Sequence, residues 1–202
     1  RGLCNEFEVL LIADEIATGF WRTGTCFACE HAGIWPDILL LGKALTGGYL
    51  PMSALLASDA IYDVFRARGD DRIVFWDGHT FTGNPICAAA ANAALDTYAA
   101  LDIATAMQPA AIALADEFAK LAARPEVEYH RALGMIAMLS IREEAGGADA
   151  ARAVCAMALE KGLFTRPLGP VVYLWPPLVS TPEEIATMVA ILDDCLSAAI
   201  SR

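Results

Sequence analysis

Basic residues are scarce in this chain, which holds 14 lysines and arginines against 25 aspartates and glutamates, for a formal charge of −11. Nucleic acids and anionic membranes are bound through clusters of basic side chains, so this balance argues against either as a partner. No apolar run reaches the roughly 18 residues that a membrane helix needs, and the first residues lack the charged-then-apolar pattern of a secretory signal. We therefore expect a soluble, cytoplasmic protein.

Paired metal-ligand motifs are also missing. Six cysteines are scattered among apolar neighbours, as buried free thiols are, and this favours a reducing compartment. Cys26 and Cys29 have CxxC spacing, but neither a second CxxC nor a downstream histidine pair accompanies them. Packing is therefore preferred to zinc or redox chemistry, and no metal site is predicted. The chain also begins at Arg1 without a methionine, so we expect a fragment of a longer protein.

What the sequence does contain is an alternation of strand and helix patterns. Residues 7–15, 37–45 and 53–58 each hold an apolar run of the kind found in strands covered on both faces. Alanine-rich helical patterns follow at 84–101 and 105–123. The alternation predicts an α/β fold with a mostly parallel sheet.

The second half of the chain predicts a smaller α+β arrangement. A short strand region covers residues 132–141, a helix covers 148–161, and a turn-and-strand segment covers 163–177. A last helix is expected from Thr181, where the sequence TPEE supplies an N-cap, a proline at the first helical position and a capping-box glutamate.

Lysine is rarer still, with only three in the chain, and Lys43 has an unusual setting. It follows the apolar run 38–41, and the carboxyl ends of strands are where α/β sheets bind ligands. A desolvated lysine there would be a nucleophile able to react with a carbonyl group. The alternative is a strand-end lysine that simply reaches solvent. A phosphate-binding GxxxxGK[ST] loop is excluded, because Ile38 and Ala44 occupy two of its required positions.

Asp14 closes the first apolar run in the same way, so strand ends could bring a carboxylate and an amine to one crevice. A cofactor with an aldehyde and a protonated ring nitrogen needs such a pair. The two residues together suggest pyridoxal phosphate (PLP). Taken alone, Asp14 is more typical of a helix cap or turn.

Longer motifs connect these residues to a known family. Three stretches resemble the class III aminotransferases of fold-type I PLP architecture: DEIATGFWRTG (14–24), FACEHAGIWPDILLLGKALTGGYLP (27–51) and GHTFTGNP (78–85). The similarity continues through residues 166–177. The resemblance covers nearly all of this chain but only the C-terminal half of a family member. It implies that residues 1–100 are part of the large PLP-binding domain and residues 101–202 the small C-terminal domain.

Within the family, the similarity is greatest to the biotin-pathway enzymes that convert 8-amino-7-oxononanoate to 7,8-diaminononanoate with S-adenosylmethionine as donor. The resemblance implies that Lys43 binds the cofactor covalently and then transfers the proton. It implies that Asp14 pairs with the pyridinium nitrogen and that Ile16 lies against the ring. Thr80 is similar to the threonine that reaches the cofactor phosphate from a neighbouring subunit, which implies a homodimer.

For the substrate, Arg166 matches the family arginine that binds a carboxylate, a task suited to a planar guanidinium. Tyr173 orients substrate or only packs. His31 and His79 are interpreted as structural, but His79 stands where many adenosylmethionine-using members have proline, which leaves lysine open as the donor. Trp21 occupies a position often filled by glycine.

Three other functions remain open at this point. One is a different class III activity on ω-amino acids or diamines. Another is a binding or scaffold protein with a vestigial site, or a non-catalytic fragment that needs its missing N-terminal half. The third is a lyase that uses Lys43 without cofactor.

Overall fold

The computed structural model describes residues 1–66 and 75–200 and divides into two compact units. Unit 1 contains residues 1–21 and 25–102. Unit 2 contains residues 22–24 together with the chain from Ile103 onward. Three residues of an early loop therefore belong to the later unit, while their neighbours on both sides belong to unit 1.

Unit 1 is built on a three-stranded sheet of order β1-β2-β3. Strand β1 runs parallel to β2, and β3 runs antiparallel to it. Its elements are α1 (Gly2–Glu6), β1 (Ile12–Asp14), a 3-10 turn (Ala28–Ala32), β2 (Ile38–Leu41), a second 3-10 turn (Lys43–Thr46), β3 (Ala54–Ala57), α2 (Asp59–Phe65) and α3 (Pro85–Ala100).

The strand prediction for residues 7–15 is wrong over most of its length. The chain begins with α1, and only Ile12–Asp14 forms a strand, in register with Ile38–Leu40 of β2. Burial on both faces is also wrong for this sheet, since Ile12 and most of β3 are exposed. Apolar content alone does not create a strand where no partner strand is present.

Four large side chains and one alanine form the core of unit 1: Phe20, Leu39, Leu41, Leu45 and Ala91. Trp21 packs at its edge, with its ring centroid 5.8 Å from that of Tyr98. The bulk at position 21 is therefore used to pack against α3.

Unit 2 is a four-stranded antiparallel sheet of order β4-β5-β7-β6, with helices packed on it. Its elements are α4 (Ile103–Ala106), α5 (Gln108–Ala122), β4 (Val127–Leu133), β5 (Ile136–Ile141), a 3-10 turn (Glu143–Ala145), α6 (Gly147–Glu160), β6 (Pro167–Leu168), β7 (Val171–Leu174) and α7 (Pro182–Ile200). The strand region expected at 132–141 is thus the hairpin of β4 and β5, and the helix expected at 105–123 is two helices.

Helix starts follow the sequence closely. Asn84 caps α3, its Oδ1 accepting hydrogen bonds from the amides of Ile86 (2.9 Å) and Cys87 (3.3 Å). The capping box of α7 is reciprocal: the Thr181 amide donates to Glu184 Oε2 at 2.9 Å, and the Glu184 amide donates to Thr181 Oγ1 at 3.2 Å. The start of α7 confirms the capping box that the sequence predicts.

Within the described ranges, no single helix is long and apolar enough to cross a membrane. Two consecutive segments, Pro85–Ala100 and Ile103–Ala122, pass that test of length and composition only when they are taken together.

Candidate active site at the strand ends of unit 1

Asp14 and Lys43 lie at the carboxyl ends of β1 and β2, and therefore at the same end of the strands of this sheet. Asp14 is the last residue of β1 and lies opposite Leu40 of β2. The two strands remain joined one residue further on, where the Glu15 amide donates to the Leu40 carbonyl at 3.0 Å. Lys43 begins the 3-10 turn that follows β2. A carboxylate and an amine therefore lie at the carboxyl ends of two neighbouring parallel strands, where α/β proteins bind ligands.

Asp14 is exposed, and one of its carboxylate oxygens is used locally. Oδ1 accepts a hydrogen bond from the Ile16 amide at 3.0 Å, which fixes the side chain in an Asx-type turn. Among the residues that the structure describes, the other oxygen has no hydrogen-bonding partner. The turn-residue interpretation of Asp14 thus accounts for one oxygen and leaves the second available for a ligand.

Lys43 is exposed rather than desolvated, and its backbone is strained. Its φ is +45°, a left-handed conformation that non-glycine residues adopt at a cost of about 1 kcal/mol. A hydrogen bond from α3 holds the turn that Lys43 begins: the hydroxyl of Tyr98 in α3 donates to the Ala44 carbonyl in the turn at 2.7 Å. In the described part of the chain the Lys43 amine has no ion-pair or hydrogen-bond partner, so it is not neutralised by Asp14.

Ile16 lies against the backbone that leads to Lys43. A Cβ atom at Gly42 would come within 3.2 Å of Ile16 Cγ2 and 3.6 Å of Cγ1. Glycine at this position allows the Ile16 side chain to pack directly on the end of β2. Asp14, Ile16 and Lys43 are therefore held in one small region of unit 1.

A buried carboxylate, Glu15, supports this region and was not identified from the sequence. Its side chain is only 3% exposed and accepts hydrogen bonds from the amides of Ala28 (3.0 Å) and Cys29 (2.8 Å) and from the Thr18 hydroxyl. It thus caps the 3-10 turn of the CxxC segment. The only sequence signal was the acidic pair that ends β1, and that pair does not show which acid turns inward.

The CxxC cysteines are packed rather than reactive. Burial first, and the Glu15 carboxylate next, raise the pKa of the Cys29 thiol; burial and then Glu30 raise the pKa of Cys26. Both cysteines are free thiols, and the described residues contain no group of three metal-ligating side chains suited to an ion.

Thr80 lies in an exposed turn of unit 1 that precedes α3. His79 organises this turn, since its Nδ1 accepts from the Phe81 amide at 3.1 Å and its amide donates to Thr82 Oγ1 at 2.9 Å. The structural interpretation of His79 agrees with these contacts. Within the described ranges, no hydrogen bond joins Thr80 to Asp14 or Lys43.

Arg166 and Tyr173 lie in unit 2: Arg166 directly precedes β6, and Tyr173 lies in β7, the neighbouring strand. The β6–β7 register pairs Pro167 with Val172. Pro167 directly follows Arg166 in the chain, and Val172 directly precedes Tyr173. The Thr165 hydroxyl also donates to the Tyr173 carbonyl at 2.6 Å. Arg166 is exposed and Tyr173 is half-buried.

Comparison with known proteins identifies the family. The profile described as "Aminotransferase class-III" matches residues 1–196. The chain belongs to the class III aminotransferases. It is 40% identical over 199 residues to adenosylmethionine-8-amino-7-oxononanoate aminotransferase of Geobacter sulfurreducens, covering 94% of this chain and 43% of the relative. A relative of the same name from Synechococcus elongatus is 42% identical over 189 residues, covering 93% of this chain and 44% of that protein.

Solved structures agree. The crystal structure of the Methanocaldococcus jannaschii protein of the same name matches with a TM-score of 0.90 and 35% identity, over 98% of this chain and 48% of that one. The fold-type I expectation is thereby confirmed. The chain spans less than half the length of the curated relatives it matches.

PLP is the cofactor of this family, and the strand-end residues fit it. A primary amine suits its aldehyde, a carboxylate with a free oxygen suits its ring nitrogen, and an apolar side chain between them suits a ring face.

Proposed function

We propose that the protein to which this chain belongs is a PLP-dependent aminotransferase that converts 8-amino-7-oxononanoate to 7,8-diaminononanoate in biotin biosynthesis. The observation that carries the proposal is that an amine and a carboxylate lie at the carboxyl ends of neighbouring parallel strands. Among the described residues, the Lys43 amine has no partner and only one Asp14 oxygen accepts a hydrogen bond. The names of the relatives in Geobacter, Synechococcus and Methanocaldococcus supply the substrate class.

Lys43 carries the chemistry. Its Nζ would hold the cofactor covalently and, when free, would take a proton from the donor carbon in the first half of the reaction and give one to the acceptor carbon in the second half. Bound PLP supplies an electron sink for that carbon. Among the described residues, the Lys43 amine has no carboxylate partner that would compete with the cofactor for it.

Asp14 and Ile16 hold the ring. The second Asp14 oxygen, which accepts no hydrogen bond from the described residues, would face the ring nitrogen, and the charge of this carboxylate would favour the protonated form of that nitrogen. Ile16 gives an apolar contact to one ring face.

Thr80 binds the cofactor phosphate of a neighbouring subunit through its hydroxyl and amide. This role suits the exposure of the turn that holds Thr80. The proposal therefore includes a homodimer in which each site takes residues from two subunits.

Arg166 binds the substrate carboxylate through its planar guanidinium, and Tyr173 orients the substrate beside it. S-adenosylmethionine is the proposed donor. A second candidate, lysine or another ω-amino compound, is favoured by His79 in place of the proline found in many adenosylmethionine-using members.

The decisive experiment is incubation of the chain with PLP, reduction with borohydride and peptide mass mapping. We expect one pyridoxyl adduct, on Lys43. Lys120 and Lys161 are internal controls, because their amines pair with Glu117 (2.6 Å) and Asp194 (3.2 Å). Lys43→Arg keeps the charge and should abolish the adduct.

The test is repeated on a hybrid in which residues 1–202 replace the matching segment of the M. jannaschii relative. An unmodified Lys43 in both folded proteins would overturn the proposal. In an active hybrid, a comparison of S-adenosylmethionine, lysine and a diamine as donors identifies the amino donor, and sedimentation tests the homodimer.

A further inference from the structure

A tyrosine of α3, Tyr98, is bonded to the short turn that carries Lys43. Its hydroxyl donates to the Ala44 carbonyl at 2.7 Å, and the same carbonyl accepts a hydrogen bond from the Gly47 amide at 2.9 Å. Ala44 directly follows Lys43 in the chain. The backbone next to the proposed reactive amine is therefore held both from within the turn and from α3.

The ring of Tyr98 packs on the loop that follows Asp14. Its centroid lies 6.1 Å from that of Phe20 at an interplanar angle of 32°, and 5.8 Å from that of Trp21 at 64°. Phe20 is buried in the core of unit 1, and Trp21 packs at the edge of that core. Aromatic pairs at these separations and angles attract each other. One side chain of α3 thus connects the loop after β1 with the turn after β2.

The backbone at both ends of this connection is left-handed. The φ angle is +58° at Phe20, +63° at Trp21 and +45° at Lys43. Residues other than glycine adopt this conformation at a cost, so it persists only where surrounding contacts hold it. Glycine, which often fills position 21 in similar sequences, adopts it freely. The contact between the Trp21 and Tyr98 rings therefore offsets the strain that tryptophan brings to this position.

We propose that Tyr98 is a positioning residue for Lys43: its hydroxyl holds the left-handed turn through the Ala44 carbonyl, and its ring is fixed by Phe20 and Trp21. Tyrosine suits this task because its ring packs among apolar groups while its hydroxyl donates to a carbonyl. The kinetic part of this inference rests on the proposed function, whereas the structural part does not.

The structural part is tested on the chain itself by amide hydrogen exchange. Tyr98→Phe keeps the ring and removes only the hydroxyl, so exchange in residues 43–50 should accelerate about threefold to tenfold, as expected for the loss of one hydrogen bond. Tyr49→Phe is the matched control, because it removes the hydroxyl of a ring that is 88% exposed and lies in the same peptide. Unchanged exchange in Tyr98→Phe, or an equal acceleration in Tyr49→Phe, would overturn the proposal.

The part played by the ring contact is tested with Trp21→Gly. This change removes both the contact with Tyr98 and the non-glycine strain at position 21. Because the hydroxyl is then less firmly placed, adding Tyr98→Phe to Trp21→Gly should accelerate exchange in residues 43–50 by less than about twofold. If Tyr98→Phe had the same effect with and without Trp21, the ring contact would not hold the hydroxyl, and the proposed connection between the two loops would be wrong.

The kinetic part is tested in the active hybrid with the M. jannaschii relative. Its rate is expressed per Lys43 trapped as the pyridoxyl adduct, so that loss of folded or loaded protein does not count. Tyr98→Phe should lower this kcat about threefold to tenfold and leave KM for the amino donor nearly unchanged, because the lysine is displaced while the proposed substrate residues of unit 2 are not. Tyr49→Phe should match the parent. An unchanged kcat per trapped Lys43 in Tyr98→Phe would overturn the positioning role.

The two proposals fail in different ways. Absence of a Lys43 adduct in the parent chain and the parent hybrid counts against the proposed function, and the exchange measurements then decide the role of Tyr98 alone. A Lys43 adduct in both the parent and Tyr98→Phe, together with equal kcat and equal exchange in residues 43–50, overturns the role of Tyr98 and leaves the proposed function intact.

Discussion

The two units differ sharply in how they bury apolar side chains. All the largest fully buried side chains of the described residues lie in unit 2: Phe118, Ile103, Met107, Leu114, Met135, Leu139, Ile141, Ile185, Leu192, Leu196, Val154 and Val172. Unit 1 instead exposes large apolar and aromatic groups, including Trp76 at 90% and Tyr49 at 88%. Unit 2 has a complete core of its own, whereas the sheet of unit 1 has apolar faces without cover in the described chain.

The proposed reactive residues lie in the unit with the less complete core. Apolar surface of this extent is typical of an interaction surface. The relatives are more than twice as long as this chain, so further polypeptide is available in them to cover such faces. We therefore expect the stability of unit 1, more than that of unit 2, to depend on what surrounds it.

The largest effect should come from the core of unit 2. Phe118→Ala removes a fully buried ring from α5 and should lower the free energy of unfolding by about 3–5 kcal/mol, because it leaves a cavity. Phe7→Ala, at a ring 66% exposed in unit 1, is the control and should cost less than about 0.5 kcal/mol. Urea unfolding monitored by amide hydrogen exchange measures the stability of each unit separately. Similar losses in both variants would contradict the difference in core quality.

The next effect concerns the buried carboxylate of unit 1. Glu15→Ala leaves the Ala28 and Cys29 amides without their acceptor and should destabilise the 3-10 turn by about 1–3 kcal/mol. Glu30→Ala removes an exposed carboxylate that accepts from the Phe27 amide at 2.9 Å, and should cost less. Exchange rates in residues 25–34 measure both. Equal changes in exchange rate in the two variants would mean that the burial of Glu15 adds nothing to the stability of the 3-10 turn.

The third effect separates the units by pH. Burial, and then the nearby Cys195, raise the pKa of Cys155 in unit 2 to about 11. Above pH 9 the unfolded thiol loses its proton while the folded thiol keeps it, so the unfolded state binds fewer protons and stability falls as pH rises toward 11. The slope from this thiol is at most about 1.4 kcal/mol per pH unit. Urea unfolding of Cys155→Ala between pH 8 and 11 should show a shallower decline; the same slope as the parent would contradict this.

The difference between the units also explains what the sequence could predict. The helix start at Thr181 was readable because its capping box is local chemistry within three residues. The strand at 7–15 was not, because strand formation depends on a partner distant in sequence. Sequence reasoning thus worked best where a single turn contains the whole interaction.

The candidate site shows the same limit. Asp14 and Lys43 were identifiable because each ends an apolar run, and β1 and β2 do pair in parallel. Tyr98 was missed, since its bond to Ala44 spans 54 positions. Contacts of that sequence separation leave no local pattern.

The smallest effect sharpens the contrast at Lys43 itself. Because φ is +45° there, Lys43→Gly should stabilise unit 1 by about 1 kcal/mol relative to Lys43→Ala, which keeps the strained conformation. Both variants should lose the borohydride-trapped adduct, so the adduct reports the amine and the stability difference reports the backbone. If Lys43→Gly were no more stable than Lys43→Ala in exchange measurements over residues 38–50, the turn would not be strained. A stabilised but unreactive Lys43→Gly would show that the lysine at this position serves the chemistry and lowers the stability of unit 1, the unit with the less complete core.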